Sequence, residues 1–273
     1  MKVLIAGAGP GGLTTALCLT SVGIRDVSIV ESTPEIRSLG LGINLLPHAV
    51  RELSELGMGS ELDRIGIPVE NRVFFNRLGN RICEVPRGTA AGYRWPHYFI
   101  HRGVLQRELL ARVQKVLGPD AIRTGVAVCG FEERGDQVAV ELAEASGGRR
   151  LETADVLVGA DGLHSAVRST LFPDEGEPRW NGAVSLRGLT RWDTFLDGRT
   201  EVFCGDREQR FLAYPIKLPD GTVGLNWAGT VKDGGNASDS RYWNQCRLVK
   251  PVRAQVFAAA AVGRRDGPYV LAF

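Results

Sequence analysis

The first thirty residues alternate between short apolar runs and a stretch with helical periodicity. Apolar residues dominate positions 3–6 and 27–30, and between these runs they recur at helical spacing from Leu13 to Val22. A glycine-rich segment, residues 7–12, separates the first run from the helical stretch. The pattern predicts a strand, a glycine turn, a helix and a second strand, which is the order that builds a parallel sheet.

The same two patterns recur between residues 98 and 171. An apolar run at 98–100 precedes a helical pattern over 104–117 that ends at Gly118-Pro119. Residues 126–128 predict another strand, and the nearly continuous apolar run 155–160 is typical of a central parallel strand buried on both faces. A short helix is predicted from Ser165 to Leu171.

Two other segments have the pattern of antiparallel strands. Residues 72–86 predict a hairpin with a glycine-containing loop at 76–80. Further strands are predicted at 184–186, 201–204, 211–216 and 222–227, with a strong turn signal at 218–221. These segments predict an antiparallel β-sheet inserted into the α/β pattern.

The glycine segment near the N-terminus fits the dinucleotide-binding pattern GxGxxG. Gly7 allows the tight turn, Gly9 lets backbone approach a diphosphate, and Gly12 lets helix and strand pack closely. Glu31 ends the second strand 19 residues after Gly12, close to the spacing at which an acidic side chain binds a ribose hydroxyl. The motif alone fits a plain glycine turn as well, and it does not distinguish FAD from NAD.

Composition narrows the class of protein. At about 150 residues per domain, 273 residues predict one large or two interleaved units. A net charge of +2 without a basic stripe argues against nucleic-acid binding. No apolar run approaches the roughly 20 residues of a membrane span, so we expect a cytoplasmic protein. The four histidines lack metal-ligand spacing, and the five cysteines form no CxxC pair, so no metal site is predicted.

Two further motifs decide which family the sequence resembles. The loop Arg37-x-x-Gly40-x-Gly42-Ile43 follows Glu31, and Asp161-Gly162 is followed by Ser165-x-Val167-Arg168. With GxGxxG, their order resembles the class A flavin-dependent monooxygenases. Segments such as 100–105 and 213–216 are similar to the corresponding sequences of the phenazine-carboxylate monooxygenases and salicylate-hydroxylase-like enzymes. The resemblance covers roughly residues 1–248.

The resemblance implies an α/β fold with two interleaved parts. One is a Rossmann-like FAD-binding domain of the glutathione-reductase type, which we assign to residues 1–71 and 98–172. The other is an antiparallel β-sheet substrate domain, assigned to 72–97 and 173–232, which is expected to lie over the flavin. Residues 233–273 are expected to form a remnant helix and an atypical tail.

The resemblance also implies which residues contact FAD. They are the motif residues and their neighbours, namely Gly7, Gly9, Gly12, Glu31, Arg37, Gly40, Gly42, Arg102, Val128 and Asp161. Several of these have simpler explanations. Gly40 and Gly42 could belong to a flexible loop, Arg37 could be a solvated surface charge, and Asp161 could cap the helix that follows. A strand without a ligand role is an equal alternative at Val128.

On the substrate side, the resemblance points to Arg187, Tyr214 and Trp227 as the residues that approach an aromatic substrate. The alternatives are that Tyr214 and Trp227 belong to the sheet core and that Arg187 pairs at the surface. The implied reaction reduces FAD with NADH or NADPH, adds O2 to give a flavin hydroperoxide, and transfers one oxygen to a small aromatic ring. The open alternatives are a flavin-dependent reductase without oxygen insertion and an inactive nucleotide-binding remnant.

The last 25 residues depart from the family. Relatives continue past this point and contain a third FAD motif, G-D-A-A-H-P, which these 273 residues lack. We therefore expect a C-terminally truncated member with weaker FAD retention and impaired activity. Substrate identity and oligomeric state do not follow from the sequence.

Overall fold

The computed structural model describes residues 1–37, 40–176, 178–179, 181–192 and 194–232. Ser38 and Leu39, and the expected remnant helix and tail at 233–273, lie outside the described residues. Within those residues, no helix has the length and apolar character needed to cross a membrane.

The described strands, in chain order, are β1 (Val3–Ala6), β2 (Val27–Glu31), β3 (Gly42–Leu45), β4 (Ile67–Pro68), β5 (Asn71–Phe75), β6 (Arg81–Pro86), β7 (Tyr98–His101), β8 (Ile122–Thr124), β9 (Val126–Arg134), β10 (Gln137–Glu144), β11 (Arg149–Ala154), β12 (Val156–Gly159), β13 (Ala183–Arg191), β14 (Thr200–Gly205), β15 (Gln209–Lys217) and β16 (Val223–Lys232). The described α-helices are α1 (Pro10–Ser21), α2 (Pro47–Leu53), α3 (Gly59–Ile65), α4 (Arg102–Leu117) and α5 (Ala166–Leu171). Helix α1 begins three residues before the predicted start, because proline is favoured at the first helical position.

The chain divides into two compact units. The first unit contains the described residues of Met1–Leu39, Leu53–Met58 and Arg102–Pro178. The second contains Gly40–Glu52, Gly59–His101 and the described residues from Arg179 onward. This division differs from the predicted domain boundaries, which assigned 40–52, 59–71 and 98–101 to the FAD-binding domain and the described residues of 173–178 to the substrate domain. The physical reason is that β3 and β4 pair with β7 rather than with the parallel sheet.

The described residues of the first unit form a four-stranded parallel sheet in the order β12-β1-β2-β8. All four residues of β1 are buried, as expected for a strand inside a parallel sheet. Helix α1 packs against α4. The prediction of a central strand at 155–160 is wrong in position, because β12 lies at the edge of the described sheet and its two end residues are exposed.

An antiparallel sheet completes the first unit. Its strand order is β11-β10-β9, and sequence analysis found only the start of β9. One apolar cluster joins it to the parallel sheet and to α5, and its buried residues are Leu4, Ala6, Val30, Val126, Val128, Val140, Leu142, Ala154 and Val167. The antiparallel sheet therefore packs on the parallel sheet of the same unit.

The second unit contains a six-stranded sheet in the order β13-β16-β15-β14-β5-β6. The predicted hairpin at 72–86 and the four predicted later strands all belong to it. The sheet is not purely antiparallel, because β14 pairs with β5 in parallel. A smaller sheet, β3-β7-β4, lies in the same unit, and the core beneath it contains Ile67, Val69, Phe99, Tyr214 and Ile216.

Candidate functional site

A cleft of about 950 Å³ lies in the first unit. It is lined from the carboxyl ends of β1, β2 and β12, from the start of α1 and α4, and from the first residues of β9. Ligands of open α/β sheets bind at this edge. Seven of the ten predicted cofactor residues line the cleft, namely Gly7, Gly9, Glu31, Arg37, Arg102, Val128 and Asp161.

The three motif glycines have different surroundings. A Cβ on Gly7 would lie 2.4 Å from the Ala160 carbonyl oxygen, and the residue has φ +102°. A Cβ on Gly12 would lie 2.0 Å from the Gly7 carbonyl oxygen. Around Gly9 a Cβ would meet no heavy atom within 4 Å. Gly7 and Gly12 are therefore required by internal packing, whereas the space at Gly9 is open to a ligand.

The start of α1 is suited to an anion. Gly9 occupies the cap position, no side chain accepts a hydrogen bond from the first turn, and no acidic residue lies in that turn. The first N–H groups of a helix are unpaired within the helix and lie at the positive end of its dipole. A diphosphate would meet these groups at the wall of the cleft.

Glu31 organises the opposite wall. Its Oε2 accepts the Ala8 N–H at 2.9 Å, and its Oε1 accepts the Thr33 N–H at 2.9 Å and the hydroxyls of Thr33 and Ser32. Partial burial raises the pKa of the Glu31 carboxyl, but these hydrogen bonds to the ionised form outweigh burial and leave the pKa below its ordinary value. The carboxylate therefore remains ionised at neutral pH, as an acceptor for ribose hydroxyls must.

Glu31→Gln should destabilise the chain by about 1 kcal/mol at pH 7, the scale of a lost hydrogen bond. The pKa of Glu31 is lowered on folding, so its stabilisation is complete above the unfolded value and is lost as pH falls through the folded one. The difference between parent and variant should accordingly shrink below pH 4.5, the ordinary value. Urea unfolding at neutral and acidic pH measures this.

A suitable control is Glu35→Gln, because Glu35 is exposed and its ion pair in the described part of the chain is with the exposed Arg37. Exposed pairs contribute about 0–1 kcal/mol, so its urea midpoint should barely move. A Glu31→Gln difference that stayed constant between neutral and acidic pH would contradict the assignment.

The start of α4 supplies Gln106, a cleft residue that sequence analysis missed. Arg102 is the first residue of the helix, and Gln106 lies one turn later on the same face. The Gln106 side-chain amide donates to the Ala8 carbonyl oxygen at 2.8 Å, and both Arg102 and Gln106 line the cleft. The four-residue spacing from Arg102 was the available signal in the sequence.

Asp161 accepts hydrogen bonds at the start of helix α5. Its Oδ1 accepts the Ser165 hydroxyl at 2.6 Å, and its Oδ2 accepts the N–H groups of Ala166 at 2.8 Å and Val167 at 3.3 Å. The N-cap residue itself is Ser165, whose hydroxyl accepts the Arg168 N–H, so Asp161 assists the cap without occupying the N-cap position. Because Asp161 also lines the cleft, a second role in binding a ligand hydroxyl remains a prediction.

Arg37 and Val128, which were also predicted to contact the cofactor, line the cleft. Arg37 is exposed and forms an ion pair with Glu35, with its Nε 2.8 Å from Glu35 Oε2. Val128 belongs to the strand β9 segment 126–128 that borders the cleft. Their contacts with a cofactor remain predictions.

Comparison with known proteins decides the family. A family model described as FAD binding domain matches residues 1–249. The chain belongs to this family. FAD is therefore the cofactor to which the residues of the cleft must be compared.

Two curated relatives in the FAD-binding family are hydroxylases. The chain is 44% identical over 237 residues to phenazine 1,6-dicarboxylic acid hydroxylase PhzS of Lysobacter antibioticus, covering 85% of this chain and 58% of that protein. It is 34% identical to 3-hydroxybenzoate 6-hydroxylase 1 of Aquipseudomonas alcaligenes, covering 69% of this chain and 47% of that protein. The chain thus spans about half the length of these relatives.

A solved structure shows the same fold with its ligands. Klebsiella pneumoniae HpxO complexed with FAD and uric acid matches 94% of this chain and 65% of that chain, with TM-score 0.72 and 25% identity. The fold is therefore the predicted one, an α/β FAD-binding fold with additional antiparallel sheet.

The cleft fits a flavin dinucleotide on three observations within the first unit. The open space at Gly9 and the uncapped start of α1 suit a diphosphate. Glu31 presents an ionised acceptor where a ribose would bind. The cleft volume of about 950 Å³ lies at the upper end of the range for ligand pockets, about 300–1,000 Å³, as a large cofactor requires.

Gly40 and Gly42 belong to the second unit and do not line the cleft of the first. Gly40 has φ +134°, which favours glycine. A Cβ on Gly42 would lie 2.6 Å from the Tyr214 ring, and the Gly42 N–H donates to Asn226 Oδ1 at 2.7 Å. The need for glycine at 42 thus has a cause inside the protein, independent of a flavin ring.

The structure brings together two of the three predicted substrate residues. In the sheet register, Arg187 of β13 lies opposite Ala228 of β16, and Tyr214 of β15 lies opposite Asn226 of β16. Positions 226 and 228 lie on one face of β16. Trp227 lies between them and therefore points to the opposite face. Arg187 and Tyr214 consequently share one face of the sheet, and Trp227 does not.

Tyr214 and Trp227 both have partners within the protein. The Tyr214 ring stacks on Phe99 at 4.5 Å between centroids and is 2% exposed. Burial, and then the charge of Glu201, raise the pKa of its hydroxyl, while Arg187 opposes them. The Trp227 indole N–H donates to the Thr190 hydroxyl at 3.2 Å. Tyr214 is therefore buried in the core of the second unit, whereas Trp227 is half-buried.

Proposed function

We propose that the chain acts as a FAD-dependent monooxygenase that hydroxylates a small aromatic substrate, using NADH or NADPH and O2. The observation behind this proposal is the cleft at the sheet edge, which is lined by Gly7, Gly9, Glu31, Arg37 and Asp161. Membership of the FAD-binding family and similarity to hydroxylases of phenazine 1,6-dicarboxylic acid and 3-hydroxybenzoate support it. These relatives favour hydroxylation over reduction without oxygen insertion. A cytoplasmic location belongs to the same proposal.

The residues of the cleft divide the binding of FAD between them. The backbone at Gly9 and the first N–H groups of α1 would hold the diphosphate, and Glu31 would accept hydrogen bonds from the adenosine ribose. Arg37 and Arg102 supply positive charge at the cleft, and Gln106 holds the glycine loop through Ala8. These groups orient the cofactor without taking part in bond formation.

The reaction requires no catalytic triad of the protein. Bound FAD supplies the redox chemistry, which is acceptance of hydride from the nicotinamide and activation of dioxygen. Overall, an aromatic C–H becomes C–OH, the second oxygen atom leaves as water, and NAD(P)H is oxidised with uptake of one solvent proton. Arg187 and Tyr214, which share a sheet face, are the proposed substrate contacts; Trp227 on the other face is the weaker candidate of the three.

The test uses the purified chain and measures three quantities separately. The visible spectrum reports bound flavin, NADH or NADPH oxidation reports reduction, and mass spectrometry with isotopically labelled O2 reports hydroxylation. Phenazine-1,6-dicarboxylate and 3-hydroxybenzoate serve as substrates, and a reaction without either serves as control. We expect substrate-stimulated oxidation and a product with one labelled oxygen atom.

Two other outcomes would favour the alternative functions, a reductase or an inactive remnant. Nicotinamide oxidation that yields hydrogen peroxide and no labelled product, with every substrate in the panel, indicates a reductase. A colourless protein that FAD does not rescue indicates a remnant without the activity.

A further inference from the structure

A smaller cavity, of about 380 Å³, lies within the second unit. We call it the arginine pocket. Its walls come from the start of α2, residues 46–51, and from the segment 87–97 that leads into β7. None of the predicted cofactor or substrate residues lines it, and it shares no residue with the cleft of the first unit.

The segment that leads into β7 is fixed by backbone hydrogen bonds at both ends. At its start, the Arg87 N–H donates to the Glu70 carbonyl oxygen at 2.7 Å. At its end, the His97 carbonyl oxygen accepts the Val69 N–H at 2.8 Å. Gly88 has φ +52°, and a Cβ there would lie 2.7 Å from the His97 backbone nitrogen, so this position requires glycine. Backbone contacts of the protein therefore hold this wall in place.

Two arginines of the same segment carry charge that the protein does not neutralise. Arg87 is half-buried, and among the described residues no carboxylate pairs with it. Arg94 lies over the Trp95 ring, 5.4 Å from its centroid, and within the same ranges it too has no ion pair. Arg51 also lines the pocket, but it pairs with Glu52. No acidic residue is among the described residues that line the pocket, so two guanidinium groups are available to an anion.

His97 also lines the pocket, but its side chain is buried in the protein and is 1% exposed. Its Nε2 lies 2.9 Å from Asn44 Oδ1, and the Asn44 amide nitrogen donates to Glu201 Oε1 at 2.9 Å. Burial, and then the charges of Arg87 and Arg72, lower the pKa of His97 to about 4, so the imidazole is neutral at pH 7. The imidazole therefore adds no positive charge to that of the arginines.

The available charge matches a phosphomonoester better than a carboxylate. A phosphomonoester carries a charge of about −1.5 to −2 at pH 7 and has three oxygens that accept strong hydrogen bonds. Two guanidinium groups balance this charge, and each binds phosphate oxygens with a planar fork of N–H donors. A carboxylate carries one negative charge and would leave one of the two arginines without a counter-ion.

An aromatic side chain beside these arginines is accessible to a flat ring. Tyr93 lines the pocket and is 60% exposed, and it follows directly after Gly92, whose φ is +83°. Aromatic side chains stack on nucleic-acid bases of every kind, because each base has a π face. The volume lies at the lower end of the range for small-molecule sites, about 300–1,000 Å³, which suits a mononucleotide rather than a dinucleotide.

We propose that the arginine pocket binds the phosphomonoester of a nucleotide. The phosphate binds Arg87 and Arg94, and the base packs against Tyr93. Two kinds of molecule present such a group, namely a free nucleoside monophosphate and NADPH through its 2′-phosphate. FAD has a diphosphate and no phosphomonoester, so it is not expected in this pocket. The proposal concerns binding alone and does not depend on the redox activity proposed above.

Calorimetric titration of the whole chain, with FAD in excess to occupy the cleft of the first unit, tests each part of this recognition. The probes are AMP, ribose 5-phosphate without the base, and adenosine without the phosphate. We expect AMP to bind roughly tenfold more tightly than either of the others, the scale of one stacked base or one charge-assisted hydrogen bond. Equal affinity for ribose 5-phosphate would overturn the role of Tyr93. Equal affinity for adenosine, or competition by benzoate as effective as by AMP, would overturn the selection of phosphate.

The two nicotinamide cofactors distinguish the two sources of the phosphomonoester. Displacement of AMP by NADPH and not by NADH would assign the pocket to the 2′-phosphate. AMP binding that neither cofactor displaces would assign it to a free mononucleotide. Displacement by NADH as effective as by NADPH would contradict the proposal, because NADH has no phosphomonoester.

Matched variants locate the binding. Arg87→Gln should weaken AMP binding by roughly tenfold or more. Arg207→Gln removes the same charge from an exposed loop outside the pocket and should leave AMP binding unchanged. Equal binding by the two variants would overturn the proposal. The comparison holds even for a chain that does not retain FAD, because Arg87 does not line the cleft of the first unit.

Tyr93→Ala provides the second readout. The variant should lose the preference for AMP over ribose 5-phosphate, while ribose 5-phosphate still binds through the arginines. Because the Tyr93 side chain is 60% exposed, its removal should leave the urea midpoint unchanged. Retention of the full preference by Tyr93→Ala would contradict the assignment of the base to this side chain.

Discussion

Glu201→Ala is expected to destabilise the second unit by about 3–5 kcal/mol, the cost of breaking a buried ion pair from one side. Glu201 is 0% exposed. Its Oε2 accepts a hydrogen bond from Arg72 Nε at 2.7 Å and forms an ion pair with Arg72 Nη2 at 2.6 Å, and its Oε1 accepts the Asn44 amide. Removing the carboxylate leaves the guanidinium and the amide without their acceptor. Since whole domains are stable by about 5–15 kcal/mol, the effect should be large.

Urea unfolding followed by tryptophan fluorescence measures this loss, because Trp95 and Trp227 both belong to the second unit. The matched control is Glu208→Ala, which breaks the exposed pair of Glu208 with Lys232. That change should be within about 0–1 kcal/mol. A Glu201→Ala loss no larger than the control would show that the buried pair is not stabilising its surroundings.

A double variant tests whether Glu201→Ala destabilises the chain by removing the attraction between Arg72 and Glu201 or by leaving the charge of Arg72 without a partner. Arg72→Met with Glu201→Leu replaces both ions by apolar side chains. It should be more stable than Glu201→Ala alone, because no charge remains buried without a partner. A double variant less stable than the single one would indicate that the attraction itself dominates.

Gly12→Ala should lower both the stability of the chain and its affinity for FAD, whereas Gly9→Ala should lower the affinity for FAD alone. A methyl group at Gly12 would lie 2.0 Å from the Gly7 carbonyl oxygen, which is backbone that cannot rotate away. Overpacking of this kind typically destabilises by about 1–3 kcal/mol. We expect Gly12→Ala to lower the urea midpoint and to weaken FAD binding by roughly 10–100-fold, at 1.4 kcal/mol for each tenfold.

Gly9→Ala should behave differently. Gly9 has φ −69°, and a Cβ at this position would meet no heavy atom within 4 Å, so the folded chain accepts the methyl group. The same methyl would occupy the space where a diphosphate must approach the backbone. FAD titration should therefore show weaker binding at an unchanged urea midpoint. Normal FAD affinity in Gly9→Ala would refute the diphosphate cradle, and normal stability in Gly12→Ala would refute the close contact.

The parts of the site that follow from local sequence were predictable. GxGxxG, the strand before it and Glu31 lie within thirty-one residues, so spacing alone places Glu31 beside the glycine loop. Gly7 was predicted to allow the tight turn and Gly12 to allow close packing, and the structure gives Gly7 a φ of +102° and both glycines backbone neighbours at short range. Helix α1 was predicted from the same short segment, but it begins at Pro10, three residues before the predicted start.

Pairing between distant segments was not predictable in the same way. The apolar pattern at 71–75 predicts a strand but does not specify its partner, and β5 pairs in parallel with β14. The position of Trp227 depends on the register of β13, β16 and β15, which a pattern with period two does not fix across strands. The Glu201, Asn44 and His97 network joins side chains whose polar character gave no signal at the sequence level.

The pairing of β5 with β14 also determines when the second unit is completed during synthesis. Arg72 and Glu201, on these neighbouring strands, are 129 residues apart in the chain. At about 5–20 residues per second of translation, the β5–β6 hairpin would wait roughly 6–26 s for its parallel neighbour. During that interval the described part of the first unit, which ends near Pro178, is synthesised. The nucleotide-binding unit is therefore present in the growing chain before the larger sheet can close.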